Sequence, residues 1–377
     1  MEWKEVTLGD IATMQYGKLA PKKKDEGEIP IFTGYKNVGY TNKINCNKDT
    51  IVVVARGVGG CGDVKITNED CYLTNLAISV SLNEQICTPI FFYYIHQLEN
   101  LSILNSGSAQ PQITIDSLIK YSFRIPSLDD QRRIASILSS LDRKIELNNK
   151  INAELEEMAQ AIFKNWFVDF EPFKDGKFVE SELGMIPEGW KVGTLSDITN
   201  NKSTKVEERN DVKVLSPVTT GELVLSEEFF TKQVFSSSIA KYKVVNQGDF
   251  AYNPARINIG SIGRNEFDFV GCVSPVYVVF SVLKGYEYFF DLFRKRSFFK
   301  DSVVSLAIGG VRQSLSYDDF GMIETIIPPL EIVEKFNKLY DQIKRTIRVN
   351  NMQNTHLSLL RDTLLPRLMS GEIEIPE

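Results

Sequence analysis

The stretch that decides the fold is "WKEVTLGDI" at residues 3–11, because it returns as "WKVGTLSDI" at residues 190–198. Trp, Lys, Thr, Leu, Asp and Ile recur in register between the two copies. A second matched pair, "IPSL" at residues 125–128 and "IPPL" at residues 327–330, follows at a distance. Such self-similarity indicates that one architectural unit has been duplicated. We therefore predict two similar globular parts, each followed by a helix.

The helix after each globular part carries a seam of side chains that recur at alternating steps of four and three residues. Such spacing is a heptad pattern, and asparagines within it fix register at a cost in stability. We predict that the two helices form an antiparallel coiled coil, and that Pro366 ends the second helix. The alternative is that each seam packs only against its own globular domain. The seam positions are Ile134, Leu138, Leu141, Ile145, Asn148, Asn152, Leu155, Ile343, Ile347, Asn350, Asn354 and Leu357.

Strand-like runs such as "TIVVVA", "NLAISVSL", "SPVYVVFSVL" and "MIETIIP" dominate the globular parts. Two segments, "PIFFYYIHQLENL" and "YEYFFDLFRKRSFFKDSV", have helical patterns. The fold class is therefore α+β, with two similar domains, an antiparallel pair of long helices and an internal pseudo-twofold duplication. The expected boundaries place domains at 1–127 and 181–330, with a helix and connector at 128–180 and a helix and tail at 331–377.

A glycine-rich stretch, "IVVVARGVGGCGDV" at residues 51–64, contains the spacing G-x-G-x-x-G. That spacing binds a dinucleotide only where it turns a strand into a helix. Here the following residues, "DVKITNEDCYL", alternate with a period of two, which indicates a second strand. We therefore predict a turn between two strands, and an enzyme that binds a nucleotide at this turn stays the minor alternative. The stretch "GDFAYNPARINIGSIG" at residues 248–263 is its counterpart in the second half.

Composition sets limits on the partners and on the chemistry. The chain has 377 residues and a net charge of −6, from 43 basic and 49 acidic residues, so any contact with nucleic acid must come from local basic clusters. No apolar stretch reaches the length of a membrane span, and we expect a cytoplasmic protein without a membrane partner. Five cysteines without a C-x-x-C pair and two distant histidines indicate reduced, structural cysteines and no metal site.

The candidate nucleic-acid contacts centre on Arg56 and Arg256, which lie beside the two glycine-bearing turns. Guanidinium geometry suits a phosphate or the O6/N7 edge of guanine, and glutamine amides suit adenine. The alternatives are surface arginines at ordinary turns, a solvated lysine run and structural glutamines. No phosphate-binding loop or metal-hydrolysis cluster is present, so we expect no catalysis by this chain. The remaining candidates are Lys22, Lys23, Lys24, Lys36, Lys65, Arg264, Arg312, Gln112 and Gln313.

Three segments together resemble the specificity (S) subunit of type I restriction–modification systems. They are "LGMIPEGWKVGTLSDI", "PQITIDSLIKYSFRIPSLDDQRRIASILSSLDRKIELNNKIN" and "LLRDTLLPRLMSGEIEIP". The resemblance covers essentially the whole chain. It implies two target recognition domains, each reading one half of a split, asymmetric sequence in double-stranded DNA, with the paired helices as a spacer. By this resemblance Arg56 and Arg256 fall in turns that flank the recognition surface.

The same resemblance implies partners. Two methyltransferase (M) subunits would dock on the chain, and restriction (R) subunits would add translocation driven by ATP and cleavage. S-adenosylmethionine, ATP and Mg would then bind the partner subunits, with no cofactor in this chain. The second half departs from the first at "PPLEIVEKF", which lacks the Gln-Arg-Arg of "DDQRRI".

Two other function classes remain as alternatives to this resemblance. A stand-alone DNA-binding regulator with two domains would bind specific DNA without partners, and a coiled-coil scaffold would make no contribution to DNA binding. Because the chain is acidic and DNA binding is electrostatic, we expect the isolated chain to bind DNA poorly.

Overall fold

The computed structural model describes residues 2–21, 27–57, 60–106, 111–230, 232, 235, 236, 238–307 and 314–373. The chain forms two compact units. The first combines residues 1–150 with 350–377, and the second is the continuous stretch 151–349. These units cut across both long helices, whereas the boundaries expected from the sequence follow the helix ends. The reason is that each unit takes one segment of each helix into its own packing.

The first unit is built on a four-stranded antiparallel sheet in the order β2-β8-β5-β6, beside a smaller sheet in the order β4-β3-β7 and the pair β1-β9. Its strands are β1 (Lys4–Thr7), β2 (Ala12–Tyr16), β3 (Ile29–Phe32), β4 (Asn37–Thr41), β5 (Ile51–Val54), β6 (Val64–Ile66), β7 (Tyr72–Leu73), β8 (Ala77–Leu82) and β9 (Ser122–Ile125). Its helices are α1 (Leu8–Ile11), α2 (Pro89–Leu98), α3 (Ile115–Ile119) and the first part of α4 (Leu128–Phe167).

The second unit repeats this plan with a four-stranded antiparallel sheet in the order β13-β20-β17-β18. Its strands are β10 (Phe178–Ser181), β11 (Gly184–Pro187), β12 (Lys191–Thr194), β13 (Thr199–Lys202), β14 (Lys213–Pro217), β15 (Leu223–Leu225), β16 (Lys243–Val245), β17 (Phe250–Tyr252), β18 (Ile262–Arg264), β19 (Gly271–Val273), β20 (Val278–Val282) and β21 (Glu324–Ile327). Its helices are α5 (Ser226–Phe229), α6 (Glu287–Phe293), α7 (Ser297–Leu306), α8 (Tyr317–Gly321) and the first part of α9 (Leu330–Met369).

The duplication extends to strand pairing. The pair β12-β21 corresponds to β1-β9, so both copies of the "WK" segment pair with the strand that precedes a long helix. In the smaller sheets, β3 and β14 each pair with one antiparallel neighbour, β4 or β15, and one parallel neighbour, β7 or β19. The second unit adds β16 to the smaller sheet. The predicted α+β fold with internal duplication is confirmed.

The long helices run antiparallel within the first unit. Arg361 donates to Asp142 at 2.7 Å, and Asn148 donates to Asn354 at 2.9 Å, so one helix advances as the other recedes. None of the predicted seam positions is exposed. The ends of the same seams also enter the globular cores, for example Ile134 and Leu138 in the first unit. The helices therefore combine the two arrangements that the sequence left open.

Two expectations from the sequence are wrong in detail. Pro366 lies inside α9, which continues to Met369. A proline in the last turn removes only one backbone hydrogen bond, and burial of Leu365 and Leu368 in the core of the first unit compensates for it. The predicted single helix "YEYFFDLFRKRSFFKDSV" is two helices, α6 and α7, because the chain turns between Arg294 and Arg296.

The segment between the two halves is more ordered than a plain connector. It forms the hairpin β10-β11, and Phe170, Ile186 and Trp190 are buried in the core of the second unit. Among the helices of the described ranges, none has the length and apolar character needed to cross a membrane.

Candidate nucleic-acid interface

The first candidate site is the turn between β5 and β6, which begins at the exposed residue Arg56. All four residues of β5 are buried, so the strand fixes where the turn starts. The amide of Gly62 donates to the carbonyl of Val54 at 2.9 Å, and the strands pair antiparallel. The predicted turn between two strands is confirmed. Since no helix follows the glycines, they do not form a dinucleotide-binding turn.

Side-chain contacts anchor the described end of this turn next to β6. Asn100 donates to the Asp63 carboxylate at 2.7 Å, and the Cys61 thiol donates to the carbonyl of Ala55 at 3.4 Å. Burial raises the pKa of that thiol. Gly62 has φ of +102°, and a Cβ there would lie 2.2 Å from the amide nitrogen of Ser102. Only glycine fits this position, so the end of the turn next to β6 is closely packed.

A second turn, between β3 and β4, lies against the glycine turn. A Cβ on Gly60 would lie 3.0 Å from Cδ2 of Tyr35. Tyr35 is 63% exposed, and Lys36 beside it is also exposed. The two turns together present an arginine, a lysine and an aromatic ring at the same end of the unit. We call these three side chains, Arg56, Lys36 and Tyr35, the first recognition tip.

The second unit has the corresponding arrangement between β17 and β18. Arg256 is exposed, and its carbonyl accepts from the amide of Ser261 at 3.1 Å. Gly260 has φ of +94°, and a Cβ there would lie 2.7 Å from the carbonyl oxygen of Thr219 in the turn after β14. The same pair of turns therefore meets in both units. We call Arg256, Thr219 and Thr220 the second recognition tip.

Register separates the two arginines by one residue. The amide of Ile113 donates to Ala55 at 2.9 Å, and the amide of Leu315 donates to Pro254 at 3.1 Å. Ala55 and Pro254 are therefore equivalent in the fold. Arg56 is one residue past this point and Arg256 is two residues past it, so the match found in the sequence is close but not identical in structure.

Comparison with known proteins agrees with this architecture. Residues 1–157 match the family model described as the type I restriction modification DNA specificity domain. The specificity subunit of the type I restriction enzyme MjaIX from Methanocaldococcus jannaschii is 29% identical over 303 residues, covering 76% of this chain and 69% of the relative. The specificity subunit of the Haemophilus influenzae enzyme HindI is 29% identical over 338 residues, covering 70% of this chain and 71% of the relative.

A solved structure shows the same fold across both halves. The crystal structure of the type I restriction–modification S subunit from M. genitalium covers 97% of this chain and 96% of its own, with a TM-score of 0.62 and 18% identity. The chain is therefore similar to type I restriction–modification specificity subunits in sequence, and to the M. genitalium S subunit in fold. The resemblance seen in the sequence is confirmed.

The other predicted contact residues fall into different surroundings. Lys65 lies 3.6 Å from the Asp63 carboxylate, which partly neutralises it. Arg264 lies at the far end of β18, opposite Phe250, while Arg256 lies in the turn before β18. The guanidinium of Arg264 packs over the rings of Phe250 and Tyr288, at 5.9 and 5.3 Å from their centroids. The structure therefore does not bring Arg264 to the second recognition tip.

Gln112 supports the first turn through its backbone, which bridges to Arg56. Its amide donates to Asn105 at 2.8 Å, and its carbonyl accepts from Ser106 at 3.1 Å. The remaining predicted contacts lie outside the described residues: Lys22, Lys23, Lys24, Arg312 and Gln313.

The surroundings of Arg256 add a basic neighbour. Lys243 donates through Nζ to the carbonyl of Tyr277 at 2.6 Å, and burial lowers the pKa of Lys243. Burial raises the pKa of Tyr277, and the positive charge of Arg256 partly opposes this effect. The tyrosine therefore stays protonated at neutral pH, and it interacts with Lys243 through its carbonyl and with the charge of Arg256 through its hydroxyl.

The structure also reports on the cysteines and on metal chemistry. All five cysteines are free and buried: Cys46, Cys61, Cys71, Cys87 and Cys272. Within the described ranges, no group of His, Cys, Asp and Glu side chains has the arrangement of a metal site. Tyr35 is the member of the first recognition tip that sequence reasoning missed. The available signal was a glycine before an aromatic residue at the turn of a short hairpin, "FTGYK".

Proposed function

We propose that this chain is the DNA-recognition subunit of a type I complex, with each unit reading one half of a bipartite target in double-stranded DNA. The observation that carries this proposal is the duplicated pair of turns, each with an exposed arginine at the same end of an equivalent sheet. Two similar tips with different side chains suit two different half-sites. The paired helices α4 and α9 would set the spacing between these half-sites.

The charge of the chain supports a role within a larger assembly. A net charge of −6 opposes tight binding to a polyanion, and each tip offers only a few cations. We infer that two methyltransferase subunits, together with restriction subunits, complete the DNA-binding surface. S-adenosylmethionine, ATP and Mg would bind those partners, and this chain would position DNA without catalysing a reaction. We assign the complex to the cytoplasm, where its DNA substrate lies.

The test is to map methylated sequences after co-expression of the chain with its methyltransferase subunit. Arg56→Ala is expected to relax base preference in one half of the motif, and Arg256→Ala in the other. One bidentate arginine contact discriminates bases by about 1–3 kcal/mol, which corresponds to roughly fivefold to 160-fold.

Matched controls lie at the opposite ends of the same sheets. Lys48 precedes β5 and Lys284 follows β20, and both lysines are exposed. The control variants are therefore Lys48→Ala and Lys284→Ala. Neither control is expected to alter the motif. The proposal fails if both arginine variants keep the original motif, or if both alter the same half.

The stand-alone regulator makes a different prediction. It requires the isolated chain to bind a specific sequence tightly at physiological salt. We expect weak binding that falls further as salt is raised. A nanomolar, sequence-specific affinity of the chain alone, measured by fluorescence anisotropy, would favour the regulator.

A further inference from the structure

We propose that Tyr35 is a base-stacking residue for the first half-site, and that its ring enters the duplex where a base step opens. This inference rests on the proposed function, because it requires the first recognition tip to face DNA. It identifies a contact made by shape and stacking, in addition to any contact that Arg56 makes by hydrogen bonding.

The ring of Tyr35 packs against the backbone of Gly60. It lies over Gly60, where a Cβ would come within 3.0 Å of Cδ2 and 3.3 Å of Cε2. Gly60 does not have a left-handed backbone conformation, so a larger residue there would be opposed by crowding against the Tyr35 ring rather than by backbone strain. The missing side chain leaves room for the ring. One side of the ring is therefore supported by backbone while 63% of the residue is exposed.

The turn that carries the ring is also rigid. Thr33 accepts through Oγ1 from the amides of Tyr35 at 3.3 Å and Lys36 at 3.1 Å, and it donates from the same oxygen to the carbonyl of Lys36. Gly34 has φ of +83°, and a Cβ there would lie 2.8 Å from Cβ of Ala77. A preorganised aromatic ring loses little conformational entropy when it binds.

The chemistry of the tip fits a stacked base. Aromatic rings stack on bases with little dependence on sequence, and each such contact contributes about as much as a good hydrogen bond. The exposed Lys36, next to Tyr35 in the chain, can neutralise a phosphate that flanks an opened step. Methyltransferases extrude their target base from the duplex, so a partner of this class opens such a step. Within the described ranges no hydrogen bond engages the Tyr35 hydroxyl.

The second recognition tip has no aromatic ring over its glycine. The residues of its turn are Val218, Thr219, Thr220 and Gly221, and the group that meets Gly260 is the carbonyl of Thr219. The glycine contact is therefore common to both units, while the aromatic ring is specific to the first. Stacking is expected at one half-site only.

The experiment uses the complex with its methyltransferase subunit and DNA with 2-aminopurine at successive positions of the first half-site. The fluorescence of 2-aminopurine changes when the base loses its neighbours or gains an aromatic ring. Wild type, Tyr35→Phe, Tyr35→Leu and Tyr35→Ala are compared. The control is Tyr40→Ala, since Tyr40 is 52% exposed on the same hairpin but pairs with Pro30 at the other end of β4.

Wild type, Tyr35→Phe and Tyr40→Ala are expected to share one fluorescence signature in the first half-site. Tyr35→Leu keeps an apolar side chain over Gly60 but cannot stack, so it should lose the signature together with Tyr35→Ala. Complexes that contain either of these two variants should bind the DNA about tenfold more weakly than wild type. The inference is overturned if Tyr35→Ala behaves as Tyr40→Ala does while Arg56→Ala still relaxes the first half-site. If neither Arg56→Ala nor Arg256→Ala alters the motif, the proposed function fails with it.

Discussion

Each unit takes one segment from each long helix, and the two pairs of segments are packed by different side chains. In the first unit the helices are joined by polar pairs, with Asn148 donating to Asn354 and Arg361 donating to Asp142, next to apolar side chains that enter the core. In the second unit they are aromatic, with the centroid of Phe336 lying 6.0 Å from Phe163 and 5.0 Å from Phe167. Polar contacts specify which residues pair, whereas aromatic contacts bury area and stabilise. The helical pair therefore carries its polar pairs and its aromatic cluster at different positions along its length.

The largest effect is expected in the aromatic part. Phe336 is almost fully buried, so Phe336→Ala should lower the free energy of unfolding by about 3–5 kcal/mol. Leu339→Ala is the matched control, because Leu339 lies on the same helix and is 43% exposed. Urea denaturation followed by tryptophan fluorescence measures both. A change below about 1 kcal/mol for Phe336→Ala would break the contrast between the two packed segments.

The two units should also respond differently to acid. Burial lowers the pKa of His96 in the first unit from 6.5 to about 4, and its Nδ1 lies 2.8 Å from the carbonyl of Phe92. The neutral form is thus favoured in the folded state. Neutral His96 therefore leaves the stability of the first unit intact above pH 6.5. As the pH falls toward 4, the free energy of unfolding drops by about 3 kcal/mol, because the unfolded chain binds a proton that the folded chain does not. Hydrogen exchange between pH 7 and 4 should show the first unit loosening.

The second unit contains no histidine in its sequence, and its buried Asp291 has a lower pKa than His96. Burial of Asp291 disfavours its charge, but Arg294, Lys295 and Lys344 outweigh this and lower its pKa from 3.8 to about 2. Its contribution is therefore present above pH 3.8 and is lost only below it. His96→Phe should remove the acid sensitivity of the first unit, and His356→Phe, on an exposed position of α9, should not. Equal loosening of both units at pH 5 would contradict this assignment.

The smallest effect is expected for the ion pair of the polar part. Arg361 and Asp142 have side chains that are 31% and 32% exposed, so solvent screens their attraction. A double-mutant cycle with Asp142→Asn and Arg361→Gln should give a coupling of no more than about 1 kcal/mol, and salt should reduce it. The more exposed pair Arg132–Asp129 on α4 is the control, with a coupling near zero. A coupling of several kcal/mol would mean that the polar part also stabilises the fold.

The sequence predicts the scaffold better than the recognition surface. The repeat, the alternation around β5 and the heptad spacing of α4 follow from periodic burial, which the sequence shows directly. The sequence does not predict where α9 ends, because the burial of Leu365 and Leu368 outweighs the local effect of Pro366. The break between α6 and α7 was missed because both segments are apolar and helical in pattern.

The recognition tips depend on contacts between distant segments. Gly60 and Tyr35 are 25 positions apart, and nothing local announces that they meet. Arg56 and Arg256 could be singled out because the repeat marks them twice. Arg264 could not be distinguished from them by sequence, since only strand register places it at the opposite end of β18.

The division of the chain also has a consequence for synthesis on the ribosome. The second unit is continuous, so all of its residues emerge in one run, whereas the first unit must wait for residues 350–369 to join residues 1–150. The intervening 199 residues, 151–349, take roughly 10–40 s to synthesise at typical translation rates. During that interval the half-built first unit exposes the surface that Leu365, Leu368 and Met369 later cover. The earlier-made domain is therefore the later one to be completed, and it is the part of the nascent chain that most needs protection by chaperones.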